Sequence, residues 1–391
     1  MNDTKLEIYD LLHFMRKQKH IKKELMVNPD EKFRLEYETI YNHTRYYIES
    51  NSQILKDNEY KTLNYGKILI ITDQDTDGFH ITGLIMNFFH HLFPSLFYRP
   101  GFISSMFTPI MNVTLNKQIL RFYNLDQATE YLRSAPKNCV VKYLKGLGSS
   151  NDTDIKETFG KLLIFYKITD ENKVTSEIEK IFHQKYAEQR KEWLRQFQEK
   201  QSIIDVKGFL TKPITYNVPF EDFLNIEMIK YSMEDCIRNL PNVYDGLKQS
   251  QRKILHAFFL KGENTKMKVS QWAGFVSEKT CYHHGEQCLF DTIIKMAQDF
   301  VGSNNLPLIQ KDGQFGTRLH GGKDAASSRY IFAQLSKMMK HVFRKEDECI
   351  LNYQVDDGNT IEPVHFLPII PMLLVNGSVA IATGWSTNIP L

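Results

Sequence analysis

Hydrophobic and polar positions along the chain change rhythm several times. In "KLEIYDLLHFM", Leu6, Tyr9, Leu12 and Met15 recur on one helical face within a polar, charge-rich stretch, so residues 1–60 read as a lead-in carrying one amphipathic helix. At Lys67 the pattern becomes "KILIIT", a β-branched run of the kind buried in a parallel sheet, followed by acidic residues and the apolar-periodic helix "HITGLIMNFFHHLF". A second strand and turn is expected in "CVVKYLKGLG" from Cys139, with a helix from Asp154 onward. Such alternation predicts a small α/β domain over residues 61–170.

The charge-laced segment "EIEKIFHQKYAEQRKEWLRQFQEK" reads as a solvated helix inside a connector over 171–222. After Pro213 and Pro219 the pattern turns mostly helical, as in "DGLKQSQRKILHAFFL". A glycine-rich basic stretch around Arg318 follows, and mixed strand and turn sequence runs from Leu351 to the end. These changes predict a helical domain over 223–345 and a third region over 346–391.

Composition adds limits rather than identity. With 391 residues, 42% of them hydrophobic, the chain can bury more than one core. Its 49 basic and 46 acidic residues leave a net charge of +3, so any basic footprint must be local. Cys139, Cys236, Cys281, Cys288 and Cys349 form no disulfide framework, which with the polar N-terminus suggests a reducing intracellular compartment. The longest apolar runs, such as "FLPIIPMLLV" from Phe366, contain prolines and fall short of the roughly 20 residues a membrane helix needs, so no membrane segment is expected.

In "DQDTDG", Asp73, Asp75 and Asp77 alternate directly after an apolar strand. Hard divalent cations take such oxygen donors. A calcium-binding EF-hand loop would need a glutamate at its twelfth position, where this chain has Leu84, and would follow a helix rather than a strand. The competing reading is that the aspartates merely cap the following helix. Mutual repulsion among them favours a bound cation, with Mg²⁺ the best fit.

The run "GQFGTRLHGGKDAASSRY" places Arg318, His320, Lys323 and Arg329 before Tyr330, among Gly313, Gly316, Gly321 and Gly322. Glycines let a backbone approach a phosphate, and fixed cations stabilise charge developing on its oxygens. A tyrosine hydroxyl in such company can attack a phosphodiester, although a tyrosine taken alone is far more often a half-buried packing residue. His283 and His284, between Cys281 and Cys288, invite a zinc reading, but the spacing fits no standard finger; phosphate contact or core packing suits them better.

The segments "ITDQDTDGFHITGLIMNFFHHLFPSLF", "YLKGLGSS", "NLPNVYDGLKQSQRKIL", "YHHGEQ", "FVGSNN", "FGTRLHGGKDAASSRYIF" and "IATGWSTNIP", in this order, closely resemble the signatures of eukaryotic-type DNA topoisomerase II from about Lys61 to the C-terminus. The resemblance implies an α/β TOPRIM domain with a Rossmann-like parallel sheet holding Asp73, Asp75 and Asp77, a mostly helical winged-helix domain carrying Tyr330, and the start of an α/β tower domain. It implies a tyrosine that attacks double-stranded DNA and becomes linked to the 5′ end, in a homodimer that passes one duplex through another.

Residue by residue, Arg329, Arg238 and His284 match contacts to the scissile phosphate. Lys145 and Lys248 match backbone contacts, with Arg318, His320 and Lys323 expected beside the DNA. Ile381 matches an isoleucine that wedges between base pairs. The implied metal is Mg²⁺, with Mn²⁺ or Ca²⁺ substituting in binding. ATP is implied for the full-length enzyme only. Nuclear location is the corresponding expectation, and a viral homologue fits nearly as well.

Two departures stand out. The family's first metal-ligating glutamate, in an "EGDSA"-like segment, has no counterpart, since Glu7 has the wrong neighbours. No nucleotide loop of the "GxxxxGK" kind is present either, so the chain reads as a fragment or shortened product of a larger enzyme that does not relax DNA alone. A non-cleaving DNA-binding piece is the alternative, and another TOPRIM enzyme such as a primase is disfavoured by the tyrosine segment.

Overall fold

The computed structural model describes residues 66–116, 118–123, 125–136, 139–144, 146–197, 213–356 and 358–391. The expected N-terminal helix, the lead-in over 1–60, Glu7 and Lys145 lie outside them. The described residues within 1–186 and 198–231 form one compact unit, and those within 187–197 and 232–391 form another.

In the first unit, the apolar run after Lys67 forms strand β1 (Ile68–Ile71), which pairs in parallel with β2 (Ile103–Met106). Between them runs α1 (Thr76–Leu92), with Thr82, Met86 and Phe89 on its buried face, the spacing the sequence predicts. It ends before Pro94, whose ring disfavours helical backbone at Phe93, and Phe93 leaves the helix with φ −137°.

Two further strands complete the sheet: β6 (Leu162–Lys167) lies antiparallel to β2, and β7 (Ile214–Pro219) lies parallel to β6. The sheet is therefore mixed, not parallel as expected. The chain reaches β6 through a separate antiparallel sheet and re-enters the first sheet reversed. That second sheet has the order β4-β3-β5, built from β3 (Met111–Leu115), β4 (Gln118–Phe122) and β5 (Val140–Tyr143), with helix α2 (Leu125–Ser134) between the last two in the chain. The strand predicted from Cys139 thus exists but belongs to a different sheet from β1.

The expected helical connector needs correction too. Its charged stretch forms two helices, α4 (Glu171–Phe182) and α5 (Ala187–Arg195), interrupted near His183, and α3 (Asp152–Thr158), the helix expected around Asp154, precedes them. Val174, Ile178 and Ile181 bury one face of α4, so it is a packed helix rather than a solvated spacer. The connector also contains β7, whose Val218 joins Phe107, Leu162 and Ile164 in a core cluster.

The second unit folds around α7 (Gln249–Lys261), α8 (Val269–Thr280) and α9 (Glu286–Ala297), with α6 (Ile229–Asn239) leading into it. They pack with a small antiparallel sheet, ordered β8-β10-β9, of β8 (Met267–Lys268), β9 (Ile309–Asp312) and β10 (Phe332–Leu335). Phe258 stacks on Trp272 at 3.7 Å, and the indole Nε1 donates to Ala333 O at 2.7 Å, so the buried ring keeps its polar group satisfied. Two hairpins follow, β11 (Tyr353–Asp356) with β12 (Asn359–Pro363), and β13 (Ser378–Ala382) with β14 (Trp385–Ile389). Residues 346–391 cluster within this same unit.

Candidate functional site

In the first unit the chemistry gathers where β1 meets α1. Asp75 is the N-cap, extended at φ −127°, and its Oδ1 accepts from Gly78 N at 2.7 Å. Asp77 sits in the first turn, where the helix dipole favours a carboxylate. Asp73 turns elsewhere: its Oδ1 accepts from Leu147 N at 2.7 Å, in the turn following β5. That approach needs Gly146, whose φ is +80° and where an added Cβ would lie 2.6 Å from Asp73 Oδ2. Two separate motifs, "DQDTDG" and "KGLG", therefore meet at one carboxylate.

The three aspartates are not assembled as one donor set. Among the described residues no group of three or more His, Cys, Asp or Glu is placed to hold a metal. Capping turns Asp75 toward the helix, Asp77 is carried onto the helix itself, and backbone N–H groups bond one oxygen each of Asp75 and Asp73. The donor chemistry still suits Mg²⁺. Asp73 and Asp75 each have a second oxygen, and Mg²⁺ commonly takes only one or two carboxylates, completing its shell with water and substrate phosphate.

In the second unit the glycine-rich segment is pinned from beneath. Gln298 Nε2 donates to Phe315 O at 2.8 Å and Gly322 O at 3.1 Å. Gly316 and Gly322, at φ +95° and +78°, pack so closely that a Cβ on the first would meet Gly322 O at 2.6 Å. Asp324 accepts from both Thr317 N and Thr317 Oγ1 at 2.8 Å, and these bonds hold its carboxyl below the usual range, the backbone bond contributing most. Arg318, His320 and Lys323 stand exposed on the loop so held.

Tyr330 follows on an equally fixed backbone. Its N–H donates to Ser327 O at 2.9 Å, while Ser328 O and Ile331 O accept from Ser270 N and Val269 N at the start of α8. Ile331 is 2% exposed, whereas Tyr330 is 71% exposed, and the Arg329 guanidinium lies 5.7 Å from the tyrosine ring. A half-buried packing role does not describe this side chain.

Arg238, at the end of α6, comes to 3.4 Å from His284 Nε2, so two predicted phosphate contacts are neighbours although 46 residues apart in sequence. No hydrogen bond among the described residues joins that pair to Tyr330. His283 instead faces Asp356 at 2.9 Å, and Cys281 is buried while Cys288 is exposed, so the zinc reading finds no donor cluster among the described residues.

Ile381 lies on β13 opposite Ser386 and is 79% exposed, with Ala380 beside it buried. It is not a core isoleucine. Lys248 is half-buried and donates from Nζ to Val379 O at 2.9 Å, on the same strand; burial, then Lys295, lowers its pKa. The lysine expected on DNA thus braces the hairpin.

Several supporting residues escaped sequence reasoning. Asp235 on α6 accepts from Thr383 N and Oγ1 at the hairpin turn. Buried Asp245 accepts from Arg252 Nε at 2.7 Å and Nη2 at 3.1 Å, and buried Lys253 pairs with Glu362 at 2.8 Å. The partners are distant in sequence or ordinary in type.

Comparison with known proteins places this arrangement. Residues 106–236 match the model of the C-terminal associated domain of TOPRIM, and residues 238–391 match that of the DNA gyrase/topoisomerase IV A-subunit. DNA topoisomerase 2 of Invertebrate iridescent virus 6 is 46% identical over 85% of this chain and 30% of its own length. Human DNA topoisomerase 2-alpha is 45% identical over 84% of this chain and 22% of its own. The solved DNA-binding, cleavage and re-ligation domain of Plasmodium falciparum topoisomerase II superposes with a TM-score of 0.70 at 38% identity, covering 84% of this chain and 44% of that one. The chain thus spans under a third of these two curated relatives.

Proposed function

We propose that the chain, similar over most of its length to type II DNA topoisomerases, is a member of that family and part of a DNA cleavage-and-rejoining core in which Tyr330 attacks a phosphodiester. In this reading the first unit is the TOPRIM domain, residues 232–345 form the winged-helix domain and residues 346–391 begin the tower. The observation that carries it is the tyrosine itself, a large aromatic held in solvent on a backbone fixed from both sides, with a guanidinium against it.

Tyr330 Oη forms a bond to phosphorus as the bond to the 3′ oxygen breaks, leaving the DNA 5′ end on the enzyme. The phenolic proton passes to solvent or a neighbouring base, and the departing 3′ oxygen takes up a proton. Arg329 offsets charge developing on the phosphate oxygens, and the paired Arg238 and His284 hold the same phosphate. Arg318, His320 and Lys323 engage the flanking backbone, and Ile381 enters the base stack. Asp73 and Asp75 would hold a divalent cation, Mg²⁺ first, which when bound supplies Lewis-acid stabilisation of the transferring phosphate. For the whole protein the proposal extends to a homodimer acting on double-stranded DNA, with ATP-driven strand passage, in the nucleus or in a virus-infected cell.

The test incubates the purified chain with nicked, end-labelled DNA and Mg²⁺ or Mn²⁺, denatures it, and looks for protein joined to the 5′ end. An adduct present in the parent and absent in Tyr330→Phe is the expected result. A second reading, a DNA-binding piece that does not cut, draws on the way capping separates the three aspartates. DNA binding without any adduct would establish it and overturn the first.

A further inference from the structure

The hairpin of β13 and β14 has two strands, and a pair of strands alone is marginal in water. Yet Ile381, near its tip, projects its side chain into solvent. A wedge that unstacks base pairs must not fold back when DNA resists, so something outside the hairpin has to carry the load. The attachments are specific. Asp235 Oδ2 accepts from Thr383 N at 2.7 Å and from Thr383 Oγ1 at 2.8 Å, two residues beyond Ile381. Cys236 Sγ donates to Thr383 O at 3.4 Å. Asn239 Nδ2 donates to Asp235 Oδ1 at 2.6 Å, fixing the carboxylate's orientation. Beyond the turn, Lys191 and Arg195 of α5 lie 5.2 and 5.3 Å from the Trp385 ring.

Asp235 is also one helical turn before Arg238, about 4.5 Å along the axis, and on the same side of α6. The helix that grips the wedge therefore carries the arginine paired with His284. We infer that Asp235 is a positioning residue for DNA bending, locking the Ile381 hairpin to the phosphate-contacting end of α6 so that seating a phosphate and inserting the isoleucine are one event. This rests on the proposed DNA-cleaving reading and deepens it. Both Asp235 carboxylate oxygens are engaged, one by Thr383 and the other by Asn239.

The experiment uses the full chain and a nicked duplex labelled with donor and acceptor dyes at its ends, reading affinity from fluorescence anisotropy and bending from energy transfer. The variants are Ile381→Ala, Asp235→Ala, Thr383→Val and Thr383→Ser. Asp235→Ala should lose more than half of the bend while affinity stays within about threefold, because phosphate contacts dominate binding. Thr383→Val, which loses one bond of the clamp, should fall between, and Thr383→Ser, which keeps the hydroxyl, should bend as the parent does. A parent-like bend in both Asp235→Ala and Thr383→Val, with Ile381→Ala defective, overturns the inference and leaves the functional reading intact. A parent that binds without bending, or an Ile381→Ala that bends fully, overturns the wedge reading and the inference with it. If Asp235→Ala does not fold, the Thr383 pair decides alone.

Discussion

Tyr330 and Ile381 are large apolar-bodied side chains turned to solvent, and each has a buried neighbour, Ile331 and Ala380, that fixes where it points. Burying such surfaces normally stabilises a fold by about 1.5–3 kcal/mol each, so leaving them out forgoes stability for access. Gly146 is the counterpart in the acidic site, selected by what it lacks. Gly146, at φ 80° and ψ 176°, has backbone open essentially only to glycine, so Gly146→Ala would cost on the order of 1–3 kcal/mol and push the new methyl against the Asp73 carboxylate. The Mg²⁺ concentration for half-maximal adduct formation should rise several-fold, with DNA affinity little changed. An unchanged metal titration would show that Asp73 is not a ligand.

At the scale of elements, α7 carries unusual chemistry inward. His256 is buried on it, facing Lys253 on the same helix and the Tyr353 ring on β11 at 6.0 Å. Burial first, then Lys253, pushes its pKa down from 6.5 to about 4. The unfolded chain takes up this proton at higher pH than the folded one does. The folded state thus holds its full advantage above pH 6.5 and loses it as pH falls toward about 4. His256→Gln should lessen the fall in melting temperature between about pH 7 and about pH 5. A variant whose melting tracks the parent across that range would remove His256 from the account of acid stability.

Across the whole molecule, charge is nearly balanced, at +3, so DNA affinity has to come from local cations such as Arg318 and Lys323 on their clamped loop. Charge-removing Arg318→Gln and Lys323→Gln should each flatten the dependence of log affinity on log salt by about one unit, measured by anisotropy titration. A slope that stays parental would place both side chains away from phosphate. The sequence revealed much of this scale. Helix α1, strand β1, the exposed basic loop and the family itself were legible, because local periodicity and long ordered motifs carry them. What stayed hidden depended on pairings between distant segments. The reversed entry of β6 made the first sheet mixed, β7 emerged from an apparent connector, and one Asp75 oxygen caps α1 while Asp73 reaches the turn after β5. Residues such as Gln298 and Asp235 have no local signature at all, since their roles lie in the partners the fold brings to them.

One consequence of that sheet concerns how the protein is made. The strand β7 at residues 214–219 closes against β6, and residues 187–197 belong to the unit whose remainder begins at 232. A ribosome therefore delivers the pieces out of order. The first unit cannot complete its sheet until the chain has emerged as far as Pro219, and helix α5 must wait for partners not yet synthesised. Until then β6 offers an unpaired edge and α5 an unburied face, the kind of surface that aggregates or engages chaperones. Nascent chains stopped between the two closing segments should be the most aggregation-prone intermediates in the molecule's biosynthesis.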